Sequence, residues 1–524
     1  MSGADKKKPI VWSVAGSDSG GGAGLQADLK AFETFDVHGC TAVAALTAQN
    51  SIAVRAIEPV SEAMLDAQLA ALAEDMPPAA ITTGMLGSVA NLRVVVRWVD
   101  RLRQKNPAMT LVVDPVLRAT TGASFAGDEL VAAYRNELLP RASLVTPNRR
   151  EAAALLGLSS LNDDADIEHA ARALRELGCQ AVAITGGDES GAHSLDYVCA
   201  PWAEGWLRLP RIGTPHSHGT GCVFASSAAA AMARGFVSVE AVVLAKMATT
   251  HALRNGYAAG EGAGPVRPQE GFALRIENLP EMSLPAASQA AGSRFADLPP
   301  FAALTDDKLG LYAIVDSAAW IERVLAAGVR TVQLRIKDPR QSNLREEIRA
   351  SVAAARKVDA QLFINDHWQV AIEEGAYGVH LGQEDLATAD LAAIQRAGLR
   401  LGLSTHAYWE VCRAWSLKPS YIACGPIHPT AAKAMPWIPQ GNGNLAYWCK
   451  LLSTPVVAIA GMDAARATEA ARRGAAGVAV ISAITAAPSP EAAIDTLREA
   501  LRVAANSPVP AAAHWPKPTL SAQG

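Results

Sequence analysis

LYAIVDSAAWIERVLAAGVRTVQLRIKD, residues 311–338, reads as one turn of a repeating β/α pattern. Residues 311–316 and 331–337 are short runs rich in Val, Ile and Leu, and residues 320–327 between them space their apolar side chains as a helix does. Further strand-like runs follow at 361–366, 378–382, 400–406, 421–427, 455–462 and 477–484, most of them separated by Ala-rich helical stretches such as 464–473. Eight alternations in about 200 residues predict a closed (β/α)8, or TIM, barrel. Asp316, Lys337, Asn365, Asp366, Ser404, Thr430 and Ser482 fall at the C-terminal ends of these runs. In a barrel that is the face on which active sites are built. One or two polar strand ends need no more than a loop to explain them. A set so rich in charge, amide and hydroxyl groups points to a site.

Ahead of this pattern the apolar periodicity lapses into Pro, Ala, Ser and Gln, as in LPAASQAAGSRFADLPP (284–300). That is linker chemistry. The expected division is a first domain over 9–264, a linker over 265–306, a barrel over 307–505 and a disordered tail over 506–524. The first domain also alternates, with strands expected at 10–15, 40–46, 80–85, 111–116, 144–146 and 181–185, and a helix after Gly24. A two-stranded insertion around 197–200 and 206–209 and then two helices complete it. This predicts a doubly wound α/β sheet with its ligand at the strand C-termini.

The chain has 524 residues, of which 50% are hydrophobic and 19% charged, with a net charge of −4. That length calls for more than one core, and that apolar content excludes wholesale disorder. The 47 basic residues are scattered, without the basic stripe of a nucleic-acid partner. Residues 219–233 are too short and too rich in Ala, Ser and Gly to span a bilayer, so no membrane partner is expected. Lys6–Lys8 with the apolar run 10–14 lacks a cleavage site after a proper hydrophobic region, and seven cysteines without a C-x-x-C pair suit a reducing compartment. A cytoplasmic protein acting on small molecules is expected, and a homo-oligomer is compatible with this reading.

Two glycine-rich elements carry chemistry in the first domain. AGSDSGGGAGLQADLKAF (15–32) joins a strand to a helix, yet has neither G-K-[ST] nor G-x-G-x-x-G register. A tight structural turn and a ligand loop both remain open on spacing alone. HSHGTGCVFASSAAAAMA (216–233) places Gly219, Thr220, Gly221 and Cys222 where an Ala-rich helix begins, offering N–H groups to a phosphate. A helix N-terminus is expected to lower the Cys222 pKa. The alternative is a small packed core thiol.

AGSDSGGGAGLQADLK, TAVAALTAQNS (41–51), TTGMLGS (82–88), VVDPVL (112–117), TPNRREA (146–152) and HGTGC (218–222) together resemble hydroxymethylpyrimidine/phosphomethylpyrimidine kinase, a ribokinase-fold enzyme of thiamine biosynthesis. The resemblance implies that Gln49 and Met85 line a pyrimidine pocket and that Asp18 contacts the substrate. It also implies that Asp114 and Glu151 hold Mg²⁺ on the phosphates of ATP, that Asn148 contacts them, and that Gly219, Thr220 and Gly221 cradle the transferring phosphoryl group. Cys222 would activate the substrate hydroxyl. Many members carry a lysine in K-G-G where this chain has Thr185-Gly186-Gly187.

QLRIKD (333–338), INDHWQVAIEEGAYGVHLGQEDL (364–386), LGLSTH (401–406), GPIHPTAAKAM (425–435) and VISAI (480–484) resemble thiamine-phosphate synthase, whose family fold is a TIM barrel. The resemblance implies that Gln333, Asn365 and Ser404 position a pyrimidine diphosphate. Arg335, Lys337 and Lys433, with Mg²⁺ on Asp366 and Asp385, would stabilise the departing pyrophosphate. Thr430, Gly461, Ile481 and Ser482 would hold a thiazole phosphate. Ala432 stands where the family usually has a second Thr. The reading is a bifunctional enzyme. Its alternatives are a first domain serving pyridoxal or pyridoxine, and a barrel that binds without turnover.

Overall fold

The computed structural model describes residues 7–117, 127–187, 190–285, 294–295, 297–430, 436–505, 507 and 515–521. They form two compact units, Met1–Pro280 and Glu281–Leu520.

The first unit is built on β1 (Ile10–Asp18), β2 (His38–Gln49), β3 (Val54–Pro59), β4 (Ala80–Thr83), β5 (Thr110–Val113), β6 (Leu144–Val145), β7 (Val182–Ile184), β8 (His193–Cys199) and β9 (Glu204–Pro210). Their order in the sheet is β9-β8-β7-β6-β5-β4-β1-β2-β3. The run from β2 through β1, β4, β5 and β6 to β7 is parallel, while β3, β8 and β9 add antiparallel edges. The chain leaves β1 for β2 on one side and later returns to β4 on the other. That reversal makes the C-terminal ends of β1 and β4 the place where a doubly wound sheet opens a ligand crevice. The helix Thr220–Ala233 packs its small residues beneath this point, with Ala228, Ala229, Ala230 and Ala231 fully buried. The antiparallel strand β3 was not expected, because its half-exposed edge position leaves little hydrophobic alternation to read.

The second unit opens on the short β10 (Glu281–Met282). It then closes β11 (Gly310–Val315), β12 (Thr331–Leu334), β13 (Gln361–Asn365), β14 (Gly378–Leu381), β15 (Arg400–Thr405), β16 (Tyr421–Cys424), β17 (Val456–Ala458) and β18 (Gly477–Val480) into a barrel. Every neighbouring pair is parallel, and β18 pairs with β11. The interior is filled by Tyr312, Phe363, Tyr421, Ala423, Val457 and Ala479. Gly402 is required there: a Cβ at that position would lie 2.1 Å from Cζ of Tyr421. Each expected barrel strand is present; Asn365 and Ser404 lie within the last residues of β13 and β15, while Asp316, Lys337, Asp366, Thr430 and Ser482 follow their strands.

Two expectations about the connections need correction. Much of the stretch expected as a linker is packed: Val266, Phe272 and Leu279 are buried in the first unit, and Met282 and Ser283 in the second. Arg413 Nε donates to the Ser283 carbonyl at 3.0 Å, and Phe301 N donates to the Lys418 carbonyl at 3.1 Å. The apolar residues spaced among the prolines have partners, so the segment is not a spacer; its residues 286–293 and 296 lie outside the described set. The tail expected to be disordered also docks in part. Asn444 exchanges two hydrogen bonds with the backbone of Lys517, and Thr519 and Leu520 are buried. Among the described residues, no helix is long and apolar enough to cross a membrane.

Candidate functional sites

A cleft of about 1410 Å³ runs along the strand ends of the first unit. Its walls include Asp18 and Gln49 at one end, Met85, Asp114 and Cys222 in the middle, and Asn148, Glu151 and Thr185 beyond. The two glycine-rich loops meet here by direct backbone approach. Gly219 has φ of +85°, and a Cβ on it would lie 2.0 Å from the Gly22 carbonyl oxygen, so only glycine fits.

The Asp18 carboxylate is spent on its own loop. It accepts from the N–H groups of Gly20 at 2.8 Å, Gly22 at 3.0 Å and Ala23 at 2.8 Å, and lies 3.1 Å from Nε2 of His218. Burial acts to raise its pKa, but the His218 bond and the three N–H donors outweigh it and hold the carboxyl below its ordinary value. His218 Nε2 also lies 3.1 Å from Nε2 of Gln49. Asp18 and Gln49 thus meet the same ring nitrogen, which ties the position of the Gln49 amide to the loop that Asp18 holds. Asp18 therefore shapes the loop and orients His218.

Cys222 is the third residue of its helix, and Gly24 N donates to its Sγ at 3.4 Å. Contrary to the expected lowering, its pKa is pushed well above the ordinary thiol value. Burial is the main cause, reinforced by the charges of Asp28 and Asp114. The helix end is a local influence, and the partial burial of the thiol with the charges of two carboxylates outweighs it.

Asp114 is itself pushed well up by burial and by the charges of Glu151 and Asp28. Asp28, which no motif singled out, is buried and accepts from Ser13 Oγ at 2.5 Å and from Ser226 Oγ. Burial raises it to about 6 against the pull of these two hydroxyls. Asn148 and Glu151 cap the helix Arg149–Leu156 reciprocally: Glu151 N donates to Asn148 Oδ1 at 2.9 Å, and Asn148 N to Glu151 Oε2 at 3.0 Å. Lys246 was also missed. Its ammonium is buried 2.7 Å from Asp196 and lines the cleft that Thr185 and Gly186 also line. A lone Lys amid the apolar helix Ser238–Arg254 was the available signal.

At the mouth of the barrel, Asp366 follows β13 with φ of +63°, and Asp385 follows β14. Partial burial, together with the charge and hydrogen bond of Asp385, raises Asp366 to about 6, while Arg335 pulls the other way. Gly382 N donates to Asp385 at 2.8 Å. Gln333 and Asn365 are buried inside, whereas Lys337 stands exposed. Ser404 Oγ lies 2.8 Å from Nε2 of His380. Burial, then the charge of Arg335, pushes His380 down to about 4. A Cβ on Gly461 would lie 2.7 Å from Cβ of His428 and 2.8 Å from the Pro429 carbonyl oxygen, and Ile481 and Ser482 are exposed after β18. Lys433 and Ala432 lie outside the described residues. Among those described, no cluster holds three or more His, Cys, Asp or Glu as a metal cage.

Comparison with known proteins assigns both halves. Residues 18–267 match the family described as phosphomethylpyrimidine kinase, and residues 304–484 match thiamine monophosphate synthase. The chloroplastic thiamine biosynthetic bifunctional enzyme of Arabidopsis thaliana is 32% identical over 493 residues, covering 91% of this chain and 90% of that one. A thiamine-phosphate synthase of Salmonella newport is 55% identical over 181 residues, covering 34% of this chain and 86% of that protein. Among solved structures, a pyridoxal kinase of Bacillus subtilis in an ADP complex is 31% identical, covering 50% of this chain and 98% of that one, with a TM-score of 0.46.

Proposed function

The chain belongs to the bifunctional thiamine biosynthetic enzymes, and from that premise we propose how its two sites divide the work. The first unit phosphorylates 4-amino-5-hydroxymethyl-2-methylpyrimidine with ATP, and then its monophosphate to the diphosphate. The barrel joins that diphosphate to 4-methyl-5-(2-phosphoethyl)thiazole, releasing pyrophosphate and thiamine phosphate. The observation that carries this reading is that one chain matches such an enzyme over nearly the whole length of both.

In the kinase, Gln49 and Met85 hold the pyrimidine, with Gln49 fixed by the His218–Asp18 pair. Cys222 would take the proton of the attacking hydroxyl as its thiolate, a form disfavoured while Asp28 and Asp114 are both charged and favoured once their charge is offset, and the N–H groups of Gly219, Thr220 and Gly221 receive the transferring phosphoryl oxygens. Asn148 contacts the nucleotide phosphates, and Lys246 supplies a cation to the cleft where Thr185 replaces the usual lysine. In the barrel, the carbon–oxygen bond to pyrophosphate breaks with its electron pair leaving on oxygen. The thiazole nitrogen then forms the new carbon–nitrogen bond to the pyrimidinyl-methyl cation. Arg335, Lys337 and Lys433 stabilise the leaving charge, while Thr430, Gly461, Ile481 and Ser482 retain the thiazole phosphate.

The carboxylate pairs Asp114 with Glu151 and Asp366 with Asp385 fit Mg²⁺. In each pair one carboxyl is raised, first by burial and then by its neighbour's charge, and a bound cation would offset both. Two ligands per site leave room for water and substrate phosphates, the usual Mg²⁺ shell. Bound there, the ion supplies positive charge to phosphate oxygens as they take up negative charge. The test is to assay each half separately with its own substrates. A kcat/KM for pyridoxal above that for hydroxymethylpyrimidine would reassign the first unit.

A further inference from the structure

Five side chains form one continuous hydrogen-bond chain through the barrel interior. Gln333 Nε2 donates to the Tyr312 hydroxyl at 3.1 Å, and the hydroxyls of Tyr312 and Tyr421 are 2.8 Å apart. The Tyr421 hydroxyl lies 2.7 Å from Nδ1 of His380, whose Nε2 lies 2.8 Å from Ser404 Oγ. Tyr312, Tyr421, Gln333 and His380 are all buried. Each tyrosine has one proton and an uncharged imidazole has one N–H, so no inner link can be reversed alone. With Gln333 donating inward, Tyr312 donates to Tyr421, Tyr421 to Nδ1 of His380, and Nε2–H to Ser404. The whole chain has one sense.

We propose that Tyr312, Tyr421 and His380 are positioning residues that make Ser404 a hydrogen-bond donor and Gln333 a carbonyl acceptor toward the pyrimidine diphosphate. This rests on the assignment of Gln333 and Ser404 to that substrate. Gln333 is deep in the barrel, while Ser404 is half-exposed at a strand end, on the face that carries Arg335 and Asp366. An amine-bearing ring entering first finds an acceptor at Gln333. The diphosphate behind it has only acceptor oxygens, which a reversed chain would meet with the lone pairs of Ser404. The backbone of Ser404 is pinned as well, because Gln383 Nε2 donates to its carbonyl at 2.9 Å.

Two measurements on the full chain test this. The imidazole ¹⁵N spectrum, with His380 identified through His380→Gln, is expected to show a neutral ring protonated at Nε2. A ring protonated at Nδ1, or at both nitrogens at neutral pH, overturns the polarity. With pyrimidine diphosphate supplied directly, Tyr421→Phe is expected to lower kcat/KM for it about tenfold, a typical effect of one hydrogen bond. The KM for thiazole phosphate and the kinase rate should stay unchanged. Ser404→Ala should cost a similar factor, and the double variant no more than the larger single loss. Additive losses overturn the chain alone. A Ser404→Ala variant with wild-type kcat/KM overturns the substrate assignment on which the proposal rests.

Discussion

Asp28→Asn is expected to stabilise the first unit at neutral pH while impairing its kinase. Burial raises the Asp28 carboxyl from 3.8 to about 6. At 1.36 kcal/mol per pH unit, that shift amounts to about 3 kcal/mol. A carboxyl raised on folding contributes its stability below the unfolded pKa and loses it as pH climbs through the folded value, because the folded state then binds the extra proton. The wild-type unit therefore gives up about 2 kcal/mol of this between pH 4.5 and pH 8. An asparagine has no charge to desolvate. Its oxygen accepts from one of Ser13 and Ser226, and its NH₂ requires the other hydroxyl to rotate, at a cost of about 1 kcal/mol. The assay is urea unfolding of the first unit's own transition, wild type against variant, from pH 4.5 to pH 8. The advantage of the variant should grow by about 2 kcal/mol across that range. A difference that stays flat with pH would refute the claim that Asp28 is a strained buried carboxyl. The kinase kcat/KM should fall despite the gain, since Asp28 lines the cleft beside Cys222.

Cys222→Ala should cut kinase turnover about 100-fold, the scale of a lost general base, and spare the barrel reaction; near wild-type kcat would make Cys222 a packed thiol. Asp385→Asn should abolish synthase activity at sub-millimolar Mg²⁺ and leave the kinase intact. It should also lower the Asp366 carboxyl from about 6 toward its ordinary value, which titration can read. Separating the chain between Pro280 and Glu281, where its two compact units divide, should yield two fragments, each soluble and active, because each half matches a complete enzyme family of its own. Loss of either reaction would show that the halves depend on one another.

The barrel was legible because its signal is periodic and local. Strands such as Gln361–Asn365 carry an apolar centre, Leu362 to Ile364, and the chemistry changes abruptly at Asn365 and Asp366. The crevice of the first unit was legible for the same reason, through the glycine clusters around Gly22 and Gly219. What escaped was set by contacts between residues far apart in the chain. The lowering expected at Cys222 considered its helix alone, whereas Asp28 and Asp114 reach it from other elements. Residues 265–284 read as linker by composition, yet Phe272 and Met282 find buried partners that composition cannot show. The docking of Lys517 on Asn444 and the chain from Gln333 to Ser404 are long-range in the same way.

The most direct test of the account is a single reaction containing the purified chain, hydroxymethylpyrimidine, ATP, Mg²⁺ and thiazole phosphate, followed for thiamine phosphate. Thiamine phosphate should form with two ATP consumed and one pyrophosphate released per product. Asp385→Asn should stop the same mixture at the pyrimidine diphosphate, and Cys222→Ala should stop it before that compound accumulates. A wild-type chain that consumes ATP but makes no thiamine phosphate, even when pyrimidine diphosphate is supplied, would contradict the claim that the barrel is a synthase.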